Sequence, residues 1–374
     1  MNKYFILFTI LVFFTGLYLG TMRIVIPVLE RQLGLSVAIS ALLPLVAFGF
    51  IKGPFNFIAG KLSDSLGRKL ILTIGWLSAF SFLLLLIKNS IYTVIIITIF
   101  LAINQAFTWT STVTSQIDIS GKRRAGLATG INEMSGYLGV AVGNLFASHL
   151  FSLNNVFLAI ITTLSIVLSI SSIDTKKLLN NPPTNKVKIN YIYLTRIGLA
   201  GLIEKFVDSS FFILIPTFFL IEHYKLFYIG IIVSSYSLTW AILQPLFGYI
   251  ADFTTKRRLV ISIGFFITFL GFLRFSASPL LFSIIEGLGM SMLYPNLIAL
   301  VNDEVNEKVR GKALGYYRLY RDSGYGISGL LLPLLYSLLG FNDTLLIVGS
   351  LQLIAILMLV KFQRLFSPSK VNNI

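Results

Sequence analysis

The sequence predicts an all-α membrane protein, with twelve transmembrane helices in two pseudo-symmetric six-helix bundles. Three observations carry this reading. The 374-residue chain is 56% hydrophobic and only 12% charged, with a mean hydropathy of +0.84, whereas a soluble domain carries about 25% charged residues. Apolar stretches of the ~20 residues that cross a bilayer recur along its whole length. One charged decapeptide, Gly60-Lys61-Leu62-Ser63-Asp64-Ser65-Leu66-Gly67-Arg68-Lys69, returns in degraded form 188 residues later as Gly248-Tyr249-Ile250-Ala251-Asp252-Phe253-Thr254-Thr255-Lys256-Arg257. A repeat at half the chain length marks two copies of one architectural unit.

The elements follow in order. The first span, 4–28, is too long for the apolar core of a signal peptide, carries Arg23 and lacks a small-residue cleavage pattern. Spans at 37–59 and 70–87 flank the decapeptide. The fourth, 91–114, holds the run Ile95 to Leu101, and the fifth and sixth lie at 125–147 and 155–173. The stretch 174–190, with Asn180-Asn181-Pro182-Pro183 at its centre, cannot span a membrane and reads as a linker. Six further spans lie at 191–219, 228–249, 259–275, 279–300, 312–337 and 343–361. The organisation is thus a bundle at 1–173, a cytoplasmic linker at 174–190, and a second bundle with a short tail at 191–374.

The formal net charge of +15 does not point to nucleic acid, because the basic residues cluster in short loops between apolar spans. One set of loops holds Arg68 and Lys69, Lys122 to Arg124, Lys176, Lys177, Lys186, Lys188, Lys256 to Arg258, Lys308, Arg310, Lys312, Lys361, Arg364 and Lys370. The other holds Arg31, Lys88 and Lys225. By the positive-inside rule the first set, and both termini, face the cytoplasm of a multi-pass protein in the cell membrane. There is no cysteine, which excludes disulfides and thiolate metal sites. The two histidines, His149 and His223, fall near outer loops, so no metal site is expected.

The decapeptide resembles the signature between the second and third helices of the major facilitator superfamily, G-x-L-[SA]-D-x-x-G-R-[KR]. The first copy matches at every defined position. The second keeps Gly248, Asp252, Lys256 and Arg257 but has Thr255 in place of the second glycine. The resemblance implies a conformational latch made of Gly60, Asp64, Gly67, Arg68, Lys69 and Asp118, with Gly248, Asp252, Lys256 and Arg257 as its echo. In this reading Asp64 faces the start of the eleventh helix near Gly311, and Asp252 faces the fifth near Gly126. A carboxylate is favourable at a helix N-terminus.

Ionisable groups inside spans are costly and functional by default. The first half offers Arg23, Lys52, Asn104, Gln105, Asn132, Glu133 and Tyr137. The second offers Glu204, Asp208, Glu286, Arg318, Arg321, Asp322 and Tyr325. Together these are the substrate and coupling candidates. Ser135-Gly136-Tyr137 recurs as Ser323-Gly324-Tyr325 at the same offset of 188 residues. Glu204, Lys205 and Asp208 can share one helical face, as can Arg318, Arg321 and Asp322. Two carboxylates close together would favour a proton carrier. Two arginines beside one acid leave a spare positive charge, with Glu133 the expected partner. A static network that only clamps helices remains open on these residues alone.

Asn104-Gln105-Ala106-Phe107-Thr108-Trp109-Thr110, Gln116-Ile117-Asp118, Asn132-Glu133 with Ser135-Gly136-Tyr137, Tyr294-Pro295 and the Tyr317 to Tyr325 stretch are similar to a prokaryotic branch of that superfamily. The fourth span lacks the arginine linked to proton transfer elsewhere in the superfamily. The fifth lacks the Gly-Pro pair of drug/proton antiporters. The resemblance implies secondary active transport of a small polar solute by alternating access; the arginine pair favours an anionic solute, and coupling to protons is the default expectation. The resemblance also implies a monomer in a lipid bilayer, with a small molecule and protons as its partners and no nucleic acid. No G-x-x-x-x-G-K-[ST] loop is present, so nucleotide drive is not expected, and neither a cofactor nor enzymatic activity is. A drug or metabolite exporter of the same fold, or a membrane sensor without flux, are the alternatives.

Overall fold

The computed structural model describes residues 2–34, 37–86, 90–149, 153–178 and 189–365. Residues 179–188 of the linker, Lys88 and the tail 366–374 lie outside the described residues. So do the side chains of Arg31, His149, Lys361 and Arg364.

Twelve long helical elements follow one another. They are α1 (Lys3–Gln32), α2 (Val37–Leu66), α3 (Arg68–Ser78, tightening to 3-10 geometry over Ala79–Leu86), α4 (Ile91–Ser120), α5 (Ala125–His149) and α6 (Asn154–Ser171). The second half has α7 (Tyr191–Ser209, running through a π-helical turn at Ser210–Leu214 into Ile215–Ile221), α8 (Leu226–Thr254), α9 (Arg257–Arg274), α10 (Pro279–Asp303), α11 (Arg310–Leu339) and α12 (Phe341–Leu365).

Local chemistry sets several ends. The Ser90 side chain accepts from the Thr93 N–H at 3.3 Å and starts α4. Asn190 accepts from the Tyr193 N–H at 3.1 Å and starts α7. Gly121 and Gly340, with φ of 77° and 79°, follow the last turns of α4 and α11. The helices run further than the apolar spans. α2, α4, α8 and α10 continue to Leu66, Ser120, Thr254 and Asp303, past expected ends at 59, 114, 249 and 300. Apolar counting stops where charges begin, but here the charges pair with one another and the backbone stays helical.

Packing follows the half-length repeat. In the first half α1 lies on α5 and α4, α2 on α4, and α3 between α4 and α6. In the second, α7 lies on α11 and α12, α8 on α10, and α9 between α10 and α12. The halves meet mainly through α2 against α11 and α5 against α8, two pairings that a two-fold relation between the bundles interchanges. α3 and α6 are only 33% buried over their apolar windows, against 67% for α1 and 78% for α10. Leu259, Ile263, Phe266 and Leu270 form an exposed stripe along α9 at helical spacing. Such faces suit lipid.

Two large apolar clusters form, one within the first half and one centred on the second half that extends to Phe5, Val113 and Ile117 of the first half. Phe8, Trp76 and Leu101 belong to the first, and Phe211, Phe265 and Met290 to the second. Among the described residues, eight helices are long and apolar enough to cross a membrane by composition alone. The other four, α2, α5, α7 and α11, carry Lys52, Glu133, the Glu204–Asp208 cluster and the Arg318–Asp322 cluster. Much of the buried charge therefore sits on these four helices, three of which, α2, α5 and α11, pack against the opposite half.

Candidate functional site

Two sets of polar residues bridge the halves. The first lies at the end of the bundle that carries the repeated decapeptide. Asp64, in the last turn of α2, accepts from the backbone N–H groups of Gly311 at 3.0 Å and Lys312 at 2.6 Å. These are orphan donors of the first turn of α11, where the helix dipole favours a carboxylate. The approach is close because neither helix carries a side chain at the crossing. A Cβ on Gly60 would overlap the Gly311 carbonyl oxygen. The echo is the same in kind. Asp252 accepts from the N–H groups of Gly126 at 3.0 Å and Leu127 at 2.8 Å.

Arginines hold both carboxylates from behind. Arg68 Nη1 lies 2.5 Å from Asp64, and its Nε lies 3.3 Å from Asp118. Arg257 Nη2 lies 2.6 Å from Asp252, and its Nε lies 2.8 Å from Asp303. Gly67 has φ 106°, open only to glycine, and its backbone packs against the Asp174 carboxylate. Thr255, at the matching place, has φ 56° and reaches the left-handed region by a milder departure. Lys69 and Lys256 form no ion pair among the described residues and stay half-buried and exposed.

Two members of this set escape sequence reasoning. Arg310, one residue before Gly311, forms an ion pair with Asp118 across the halves. Asp174 accepts from the Arg68 N–H at 2.9 Å. Arg310 had a signal, since Lys122 precedes it by 188 residues. Asp174 had none, because it falls at the edge of the linker.

The second set lies deeper. Arg318 is eight residues into α11, about 12 Å from the decapeptide end, and Tyr325 is about 22 Å from it. Glu133 of α5 accepts from Arg318 Nη2 at 3.2 Å and from Trp109 Nε1 at 2.8 Å, both on Oε1. Its Oε2 and the Arg318 Nε make no hydrogen bond among the described residues. Arg321 instead grips Glu204 of α7 with both prongs, at 2.7 and 3.0 Å. It also donates to Asp322 at 3.0 Å and lies 3.5 Å from the ring centroid of Tyr294.

Asp322 accepts from the Asn56 amide at 2.7 Å and lies 3.6 Å from Lys52 Nζ. Thr110 links Asn56, 3.0 Å away, to Arg318, 3.5 Å away. Lys205 lies 2.5 Å from Asp208 and donates to the Tyr325 hydroxyl at 2.9 Å. That hydroxyl also donates to Asp208, and Tyr236 donates to its other oxygen at 3.4 Å.

This geometry bears on three expectations. Glu133 supplies a carboxylate to the arginine cluster, as expected, but it meets Arg318, and Arg321 is gripped by Glu204 on the adjacent helix. No spare positive charge remains in the cluster, since Lys52, Lys205, Arg318 and Arg321 meet Glu133, Glu204, Asp208 and Asp322, four against four. Glu204 and Asp208 do not crowd one another, because each turns to its own cation. The π-helical turn begins two residues after Asp208, where such turns often mark functional positions.

The other candidates fall elsewhere. Asn104 donates to the Gly75 carbonyl at 2.9 Å and Gln105 to the Thr15 carbonyl at 3.2 Å. Asn132 donates to Gln116 at 2.7 Å. All three tie helices together inside the first half. Glu286 is buried inside the second half against Gly271, with neither oxygen hydrogen-bonded among the described residues. Arg23, nearer the other end of α1, lies 5.0 Å from the Phe212 ring centroid, and no described carboxylate lies within ion-pair reach of it.

Between the halves the charged set encloses a cavity of about 20 Å³, space for one water rather than a solute. Its charged lining residues are Arg23, Lys52, Lys205 and Arg321, all cations; the acids stand behind them.

The family model described as Major Facilitator Superfamily matches residues 8–197 and again 197–373. The fold is similar to the human organic anion transporter MFSD10 (TETRAN), with a TM-score of 0.83 at 12% identity, covering 96% of this chain and 100% of that one. It is also similar to FucP in its outward conformation, with a TM-score of 0.72 at 13% identity over 97% and 99% of the two chains. For the proton:xylose symporter XylE bound to 6-bromo-6-deoxy-D-glucose the TM-score is 0.73 at 14% identity, over 96% of each chain. No curated protein sequence matches the chain.

The two buried arginines differ in what they hold, and so in what their loss costs. Arg321→Gln leaves Glu204 bare and is expected to cost about 3–5 kcal/mol. Arg318→Gln is expected to cost less, because Glu133 keeps its bond from Trp109. Thermal unfolding of the purified protein should rank them in that order, and Glu204→Gln should partly restore Arg321→Gln. Equal losses would contradict the pairing.

Proposed function

The chain belongs to the Major Facilitator Superfamily, and we propose that it is a secondary active transporter that moves a small anionic solute by alternating access, driven by protons. In this reading it crosses the cell membrane with both termini cytoplasmic, so the decapeptide end faces the cytoplasm. The halves 1–173 and 191–374 rock about the central cavity, joined by 174–190, and one chain suffices. The protein needs no cofactor, and its partners are the solute, protons and lipid.

One observation carries the solute class. Every charged group on the cavity wall is a cation, and Lys and Arg are donors only. A neutral sugar gains little from four cations, whereas a carboxylate or phosphate is matched by them in charge and in hydrogen-bond type. The cargo in the description of MFSD10, an organic anion, agrees with this reading. The xylose carried by XylE does not.

The described conformation is sealed at the decapeptide end and has no room for solute. Asp64 and Asp252 act as the latch, and opening to the cytoplasm breaks their four hydrogen bonds to the α11 and α5 N-termini. Solute arrives from the other end. Arg318 is the cation it can capture deepest, because Glu133 meets Arg318 through one oxygen only. When the solute anion takes Arg318, Glu133 is left buried without its cation. Such a lone charge is expensive, and a proton neutralises it. The coupling is therefore an exchange on one residue, in which the anion brings a proton with it. A ligand shifts the equilibrium between states only through such differential contacts.

Two variants test this. Glu133→Gln mimics the protonated acid. In proteoliposomes it should keep solute exchange while losing accumulation driven by a pH gradient, and intact pH-driven accumulation would reject Glu133 as the coupling residue. Asp64→Asn should fold and insert normally, but its exchange rate should fall by up to about tenfold, the scale of a charge at a helix N-terminus. Normal exchange by this variant would remove the latch role.

A further inference from the structure

We propose that the transported anion carries a flat aromatic ring. The proposal rests on the anion reading above and adds the other end of the ligand. The cavity wall is unusual in what it lacks. Half of its ten lining residues are aromatic, namely Phe48, Trp109, Tyr137, Tyr294 and Tyr325, and Leu19 is the one aliphatic among them. Aromatic residues make up only 14% of the chain. A wall built merely to fill space between helices would hold the leucine and isoleucine that dominate elsewhere in this protein.

The rings form a continuous row across the interface. Trp109 of α4 lies 5.9 Å from Tyr137 of α5. Tyr137 lies 4.3 Å from Trp240 of α8, and Trp240 lies 6.1 Å from Tyr294 of α10. These are separations at which aromatic pairs attract. Two of the four rings belong to each half, so a flat ligand in the row would touch both halves at once.

The cations are set on the faces of the rings. Lys52 Nζ lies 5.1 Å from the Phe48 centroid and 5.6 Å from Trp109. Lys205 Nζ lies 4.3 Å from Tyr325. The wall therefore alternates ring and positive charge, and the complementary ligand alternates ring and negative charge. The ring of such a ligand offers the displaced cations a new π face while its carboxylate offers them a counter-charge.

Two lining residues are only half-buried, Tyr137 and Arg23. They are the surfaces a ligand meets first. Arg23 is the lining cation with no described carboxylate in reach, so it meets the anionic head first, before the head passes inward to Arg318, and Tyr137 receives the ring. Neither an aliphatic dicarboxylate nor inorganic phosphate would use the second surface.

The experiment is isothermal titration of the purified full-length protein in nanodiscs with 3-phenylpropionate, 3-cyclohexylpropionate and neutral 3-phenylpropanamide, repeated on Tyr137→Leu. The expected result is 3-phenylpropionate bound about three- to tenfold tighter than its cyclohexyl analogue, the scale of an aromatic pair beyond its area, with the amide weakest. In Tyr137→Leu the two carboxylates should draw level while both still outbind the amide. If the wild type binds the cyclohexyl acid as tightly as the phenyl acid, and both outbind the amide, the ring inference fails and the anion reading stands. If neither acid outbinds the amide, or none of the three binds at millimolar concentration, both fail.

Discussion

A charge brought into the interior of a membrane protein has to meet an opposite charge there, and in this chain the opposite charge often sits on the other half. Removing a single partner from such a pair costs about 3–5 kcal/mol, so the pairing dictates which helices face one another. Lys52 and Asn56 of α2 reach Asp322 of α11. Arg318 of α11 reaches Glu133 of α5. The deep charged cluster lies on α2, α5, α7 and α11, and the peripheral helices α3, α6, α9 and α12, whose buried charges sit at their ends, present apolar faces along their length. The same constraint that fixes the fold thus concentrates the chemistry in one place.

Not all of the pairs are equally tight, and the inequality is where movement can begin. Arg321 and Glu204 share two parallel hydrogen bonds within the second half, a geometry that adds both strength and direction. They behave as scaffold. Arg318 and Glu133 share one bond across the halves, and each retains an unused polar atom. At the decapeptide end the polar contacts across the halves include two hydrogen bonds to Asp64, two to Asp252 and the Arg310–Asp118 ion pair. Rigid-body rocking would break the cross-half contacts, the Arg310–Asp118 pair included, while the bidentate Arg321–Glu204 pair moves with the second half.

The fold was legible in the sequence because it depends on patterns that survive without contacts. Apolar length, the spacing of basic loops and the half-length echo of Gly60 to Lys69 sufficed for twelve helices in two bundles. The facing of Asp64 toward Gly311 came from the family signature and from the preference of acids for helix N-termini. Partner choice was less legible. Glu133 and Glu204 are both plausible for Arg321, and only the relative rotation of α7 and α5 decides between them. Asn104, Gln105 and Asn132 look like site residues by polarity, yet they face into the first half, because a polar side chain in a span serves a neighbouring helix as readily as a ligand. Thr255 shows the reverse case. The missing glycine suggested a degraded turn, and the backbone there still reaches φ 56°. The π-helical turn after Asp208 left no clear mark, since Pro216 alone does not fix a register.

The central claim is that the decapeptide end opens and closes. The cysteine-free chain allows spin labels at Leu70→Cys and Leu259→Cys, exposed positions at the starts of α3 and α9, one on each half. Pulsed dipolar spectroscopy in nanodiscs then reads the distance between the halves at that end. The account expects two populations, a shorter one matching the sealed state described here and a longer one, with their ratio changing with pH and with added organic anion. A single distance that does not respond to either would contradict it.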